Sequence, residues 1–144
     1  MSAGRLCTRV VVTAVPGESV RVAARRMAEH DVGSLVVIGE TEPHEVLGVL
    51  TDRDIVVRAI AEELDPDRLR VSQVMTTPAQ TIDESTSLEQ ALTRMANASA
   101  RRLVVTGAEG RMVGVLALDD ILSLLTNEAW SVGRLLTHQQ PSFR

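Results

Sequence analysis

The chain has 144 residues, of which 44% are apolar and 24% charged, and its formal net charge is −4. That is the profile of a folded chain with one ordinary domain or two half-size units. A net acidic chain offers no dedicated surface for DNA or RNA, its two aromatic residues, Trp130 and Phe143, give no platform for stacked bases, and no apolar run approaches the ~18–20 residues that span a bilayer.

Near the start, Arg5 and Arg9 precede the apolar run VVVTAV. The run is shorter than an export-signal core of about 7–15 residues, and Pro-Gly-Glu-Ser follows it instead of a cleavage site. A cytoplasmic location is therefore expected. Cys7 is the only cysteine, so neither an internal disulfide nor a cysteine-based zinc cluster is expected; it reads as a small buried residue.

In chain order, an extended segment is expected at 10–14, then a helix capped by Ser19. Val20, Ala23, Ala24, Met27 and Ala28 recur on that helix at the 3.6-residue period. Two strands follow at 35–38 and 46–50, with Gly39 helping to open the turn. A second helix is expected at 52–63, and Pro66 in LDPDRLR helps to end it. The order then repeats: an extended segment at 79–82, a helix on Leu88, Ala91, Leu92, Met95 and Ala96 capped by Ser85, Thr86 or Ser87, strands at 103–106 and 112–116, and a helix at 118–126. Trp130, Val132, Leu135 and Leu136 either extend that last helix or pack on a partner subunit, and the closing QQPSFR is expected to fray.

The two halves are copies. At an offset of 68, PGESVRVAARRMAEHDVGSLVVI aligns with ESTSLEQALTRMANASARRLVVT, with eight identities in 23 positions. From Gly48 onward the offset falls to 66, and GVLTDRDI aligns with GVLALDDI. The expected organisation is a first copy at 6–63, a linker at 64–73, a second copy at 74–128 and an extension at 129–144. Each copy is too small to bury its apolar faces alone, so the copies should pack sheet to sheet as an α+β fold, leaving a cleft between them.

Catalytic sets are not apparent. His30, His44 and His138 are dispersed, the one cysteine has no base placed beside it, and Asp52 and Asp54 sit two apart on a helix, so they do not face each other. No metal site and no enzyme activity are expected.

The double β-α-β-β-α, with GVLTDRDI after paired strands and VMTTPAQTI opening a copy, resembles the CBS domain pair, the module named after cystathionine beta-synthase. The resemblance covers about residues 6–128, and TDRDIVVRAIAEELDP is similar to small stand-alone actinobacterial stress-response members. It implies tandem repeats related by a pseudo-two-fold axis, a homodimer, and clefts for an adenosine-containing ligand: AMP, ADP, ATP or S-adenosylmethionine. It implies no required cofactor, and any output would pass through an effector protein.

The family motif, Gly-apolar-x-Ser/Thr-x-x-Asp, falls on Gly48, Thr51 and Asp54, and in the second copy on Gly114 and Asp120 with Ala117 in place of the hydroxyl. By the same resemblance the base lies against the opening segment of its own copy, Thr8, Val11 and Thr13 at the first site and Thr76, Ala79 and Thr81 at a weaker second one. Phosphate charge would be met from the opposite copy, by Arg101 and Arg102 at the first site but only Gly33 and Ser34 at the second. Plainer readings stand beside these. Thr51 and Asp54 form a capping box, Arg101 and Arg102 are solvated arginines, and Asp120 caps a helix as readily as it holds a ribose.

Overall fold

The computed structural model describes residues 1–138; the expectation of a frayed end at 139–144 lies outside them. Two three-stranded sheets carry the duplication. In the first, β1 (Thr13–Ala14) runs parallel to β2 (Ser34–Ile38), which pairs antiparallel with β3 (Val46–Thr51). In the second, β4 (Thr81–Asp83), β5 (Arg102–Thr106) and β6 (Met112–Ala117) repeat the same order and sense. The expected α+β double repeat is the fold.

The long helices α2 (Val20–His30) and α5 (Leu88–Ala98) start where their hydroxyl caps stand: Ser19 Oγ accepts from the Val22 amide at 3.2 Å, and Ser87 forms a capping box with Gln90. Both end on a left-handed residue that is not glycine, Asp31 at φ 51° and Ser99 at φ 49°. A side chain there costs energy that glycine avoids. Ser99→Gly is therefore expected to raise unfolding stability by about 0.5–1 kcal/mol, read from a denaturant titration.

Each copy has its own core on the helix side of its sheet. Leu35, Val37 and Leu50 pack with Val20, Ala23 and Met27; Leu103, Val105 and Leu116 pack with Ala91, Met95 and Ile121. Alternation along the strands turns Val36 and Val49, and likewise Val104 and Val115, to the other face.

The copies are not self-contained. Two short helices without a clear sequence signal, α1 (Ala3–Leu6) and α4 (Val71–Val74), open the copies and pack into the wrong core by chain order. Ala3 and Cys7, from the start of the first copy, are buried in the second core; Val71 and Val74, from the junction, are buried in the first. The chain behind each helix crosses the last strand of the opposite sheet. Thr8 exchanges two backbone hydrogen bonds with Val115, at 2.9 and 3.0 Å, and Thr76 does the same with Val49, both at 2.9 Å.

This exchange explains why the expected strands at 10–14 and 79–82 shrink to Thr13–Ala14 and Thr81–Asp83: the residues before them span the gap between the sheets. It also sets the state of Cys7. Burial in the second core pushes its thiol above the ordinary value, outweighing the opposing effect of Arg9. A thiol kept protonated and covered is a poor nucleophile, so Cys7 is expected to react with a disulfide reagent only as fast as the chain opens.

The second helix of each copy departs from expectation in opposite ways. α3 (Asp52–Ile55) passes at once into a π-helical turn, Val56–Ile60, and Glu63 adopts φ 56°. Its counterpart α6 (Leu118–His138) runs for 21 residues rather than stopping near 126, since no proline interrupts it and Gly133 is its one glycine. Trp130, Val132, Leu135 and Leu136 do extend that helix and lie exposed on it.

Candidate functional site

The sheets face each other across a cavity of about 320 Å³, at the lower end of the range for small-molecule sites. Its walls are apolar: Val36 and Val49 from the first sheet, Val104 and Val115 from the second, with Pro78 and Ala79 from the second crossing. Its polar lining comes from Ser34, Thr51, Thr76, Gln80, Arg101 and Arg102.

Thr51 ends β3 and caps α3. Its Oγ1 accepts from the Asp54 amide at 3.0 Å, and Asp54 Oδ2 accepts from the Thr51 amide at 3.0 Å. The capping box and the position at the cavity wall thus coexist, because the cap uses only some of the available lone pairs. Asp54 stands behind Thr51, its side chain 12% exposed, with Thr76 Oγ1 3.5 Å from each carboxylate oxygen and Arg58 Nε 3.9 Å from Oδ1. Across the cavity, Arg101 Nη2 reaches Asp119 Oδ1 at 3.4 Å with both side chains largely exposed. Arg102, the first residue of β5, has no ion-pair partner among the described residues and faces the same space.

Thr76 and Ala79, which the resemblance sets at the second site, line the cavity of Thr51. Thr8, which it sets at the first, pairs with Val115 of β6, a lining residue of that cavity, but does not line it itself. Val11 and Thr13 border a separate depression with Glu18, Arg26 and His30, and the Thr13 carbonyl accepts from Arg26 at 2.9 Å. Thr81 is taken up in the β4–β5 register opposite Val104. Ser34, expected at the weaker site, sits opposite Thr51 in the β2–β3 register and lines the Thr51 cavity. At the second motif, Asp120 Oδ2 accepts from the Ala117 amide at 3.2 Å, but residue 117 has no hydroxyl to complete the box.

Three residues at or beside this site were not foreseen: Pro78, Gln80 and Arg58. Only Arg58 carries a sequence signal, its place four residues after Asp54, where side chains on a helix meet.

A fold written twice, with each half supplying the leading helix of the other and a cavity between them, defines a paired-repeat module. The CBS domain model matches residues 3–60 and 71–127, and the chain belongs to that family. It is 36% identical to CBS domain-containing protein YhcV of Bacillus subtilis over 132 residues, 91% of this chain and 89% of YhcV. It is 30% identical over 124 residues to Uncharacterized protein MK0525 of Methanopyrus kandleri, 86% of this chain but only 62% of that relative's length.

Among solved structures, Hypoxic Response Protein I with two coordinated zinc ions superposes with a TM-score of 0.75 at 30% identity, covering 85% of this chain and 98% of its own. The CBS domain protein PAE2072 of Pyrobaculum aerophilum, complexed with AMP, gives 0.75 at 26% identity, covering 88% and 99%. Among the described residues no three of His, Cys, Asp and Glu come together in a group able to hold a metal ion. No helix of the described chain is long and apolar enough to cross a membrane.

Proposed function

We propose that the protein is a cytoplasmic regulatory module that binds an adenosine-containing ligand in the cleft of Thr51, Asp54, Thr76, Ala79, Arg101 and Arg102 and passes its state to an effector protein. The observation that carries this reading is the make-up of the cavity lining: apolar side chains suited to a purine stand together with three hydroxyls and two guanidinium groups suited to a sugar-phosphate. AMP in PAE2072 supports the class of ligand. Ala117 and the missing hydroxyl make the second motif, with Asp120, the weaker one. Regulation then requires that the ligand favour one relation of the halves, or of two subunits, over another.

A homodimer belongs to the same proposal, formed through exposed apolar side chains such as Leu122 and Leu125 on α6 and Val56 and Ile60 on the π turn. Light scattering on the purified chain should give about twice the 15.6 kDa chain mass; a single chain mass refutes it.

Isothermal titration of ligand-stripped protein with AMP, ADP, ATP and S-adenosylmethionine tests the ligand. Saturable binding below millimolar, lost in Asp54→Ala, is expected; no binding by any of the four overturns the reading. One observation favours a ligand-independent interaction module instead: Asp54 is already engaged by the Thr51 amide and Arg58. On that reading dimerisation and partner capture survive Asp54→Ala with Arg102→Ala, and none of the four ligands binds.

A further inference from the structure

We propose that Arg58 is a clasp that holds the second crossing segment against the Thr51 half of the cleft, setting Thr76 in place before any ligand arrives. Arg58 stands in the middle of the π-helical turn Val56–Ile60, the kind of local widening that often accompanies a functional position. Its Nη1 donates to the carbonyl oxygens of Val74 and Met75 at 3.1 and 3.2 Å, while its Nε lies 3.9 Å from Asp54 Oδ1. Those carbonyls close the short helix α4, where helical partners run out. The next residue is Thr76, whose hydroxyl approaches Asp54 and whose backbone pairs with Val49.

One side chain therefore ties the motif carboxylate of the first copy to the backbone that brings in the second. An aspartate–arginine pair four residues apart, 3.9 Å between its atoms and with the arginine half-exposed, contributes little alone. The directional part comes from the two carbonyl bonds, which a planar guanidinium can make while still facing a carboxylate. The repeat supplies an internal comparison. At the offset of 66 the counterpart of Arg58 is Leu124, so the first crossing, Thr8 on Val115, has no such arginine. The inequality of the two clefts thus extends from the residues that line them to the segments that build them. Arg58 is a positioning residue; only the consequence for affinity rests on the ligand reading above.

The test uses the full chain as wild type, Arg58→Leu (the residue of the other copy) and Arg58→Lys, with amide hydrogen exchange at Thr76 and Thr8 followed in each. Arg58→Leu is expected to speed exchange at Thr76 about tenfold or more and leave Thr8 unchanged, with Arg58→Lys recovering much of the protection. Titrated with AMP, Arg58→Leu is expected to bind about tenfold more weakly, corresponding to the loss of one charge-assisted hydrogen bond. Unchanged exchange at Thr76 overturns the clasp, whatever happens to affinity. Equal acceleration at both crossings, the mark of a general loss of stability, overturns it too. If the wild type binds no nucleotide, the ligand reading falls, and the exchange comparison alone still decides the role of Arg58.

Discussion

Gly48→Val lowers the melting temperature by roughly 10 °C, the largest stability loss expected of a single added side chain in the first sheet. A Cβ at residue 48 would lie 2.5 Å from the Thr76 carbonyl oxygen and 3.2 Å from Met75 Sδ. The carbonyl has no freedom to retreat, since it belongs to the crossing that pairs with Val49, whereas the flexible Met75 side chain can give. Overpacking of this kind costs about 1–3 kcal/mol, and forcing the crossing away weakens two backbone hydrogen bonds of about 1 kcal/mol each. A total near 3 kcal/mol corresponds to the stated shift at about 3 °C per kcal/mol for a chain of this size.

Gly114→Val should do the same, because a Cβ there meets the Thr8 carbonyl and Cys7 Sγ of the other crossing. Gly133 is the control. Nothing lies within 4 Å of its added Cβ, so Gly133→Ala in the exposed part of α6 should stabilise by about 0.5–1 kcal/mol. Differential scanning calorimetry on the three variants reads all of this. A Gly48→Val protein that melts with the wild type would mean that the crossing segment does not press on β3.

The glycine that begins the family motif is therefore explained by packing, and that marks the boundary of what the sequence discloses. Periodicity places α2 and α5 because Val20, Ala23 and Met27, or Leu88, Ala91 and Met95, each meet one apolar face, and hydroxyl caps fix their starts. Internal duplication makes the double fold legible without any structure. What it cannot disclose is which core a short apolar segment enters. Ala3, Leu6 and Cys7 match Val71, Val74 and Met75 at the offset of 68, yet four-residue helices carry no period strong enough to reveal the exchange. The resemblance sets Thr8 and Thr76 each with the motif of its own copy, whereas the exchange brings Thr76 to the wall of the Thr51 cavity. The π turn at 56–60 was also hidden, since its residues read equally well as α-helix.

Replacing Arg101 and Arg102 together by alanine is expected to weaken AMP binding about a hundredfold while leaving adenosine binding nearly unchanged. Both residues line the cavity together with Ser34, Thr51 and Thr76, and each charge-assisted bond to a phosphate contributes about 1.5–3 kcal/mol. At about 1.4 kcal/mol per decade, losing two imperfectly placed contacts gives the stated factor. The comparison with adenosine isolates the phosphate: a cleft that has merely lost its shape weakens toward both ligands, whereas removal of two phosphate-facing cations weakens it toward AMP alone. The arginines should not contribute equally. Arg101 is shared with Asp119 at 3.4 Å, so a phosphate must draw it from an exposed ion pair that itself contributes at most about 1 kcal/mol; Arg102 has no such competitor among the described residues. Arg102→Ala should therefore cost more affinity than Arg101→Ala, and Asp119→Asn should tighten AMP a few-fold by releasing Arg101. Calorimetric titrations of AMP and adenosine across these variants carry the decision. If AMP and adenosine lose affinity in equal measure, the arginines serve the architecture of the cleft and are not where a phosphate sits.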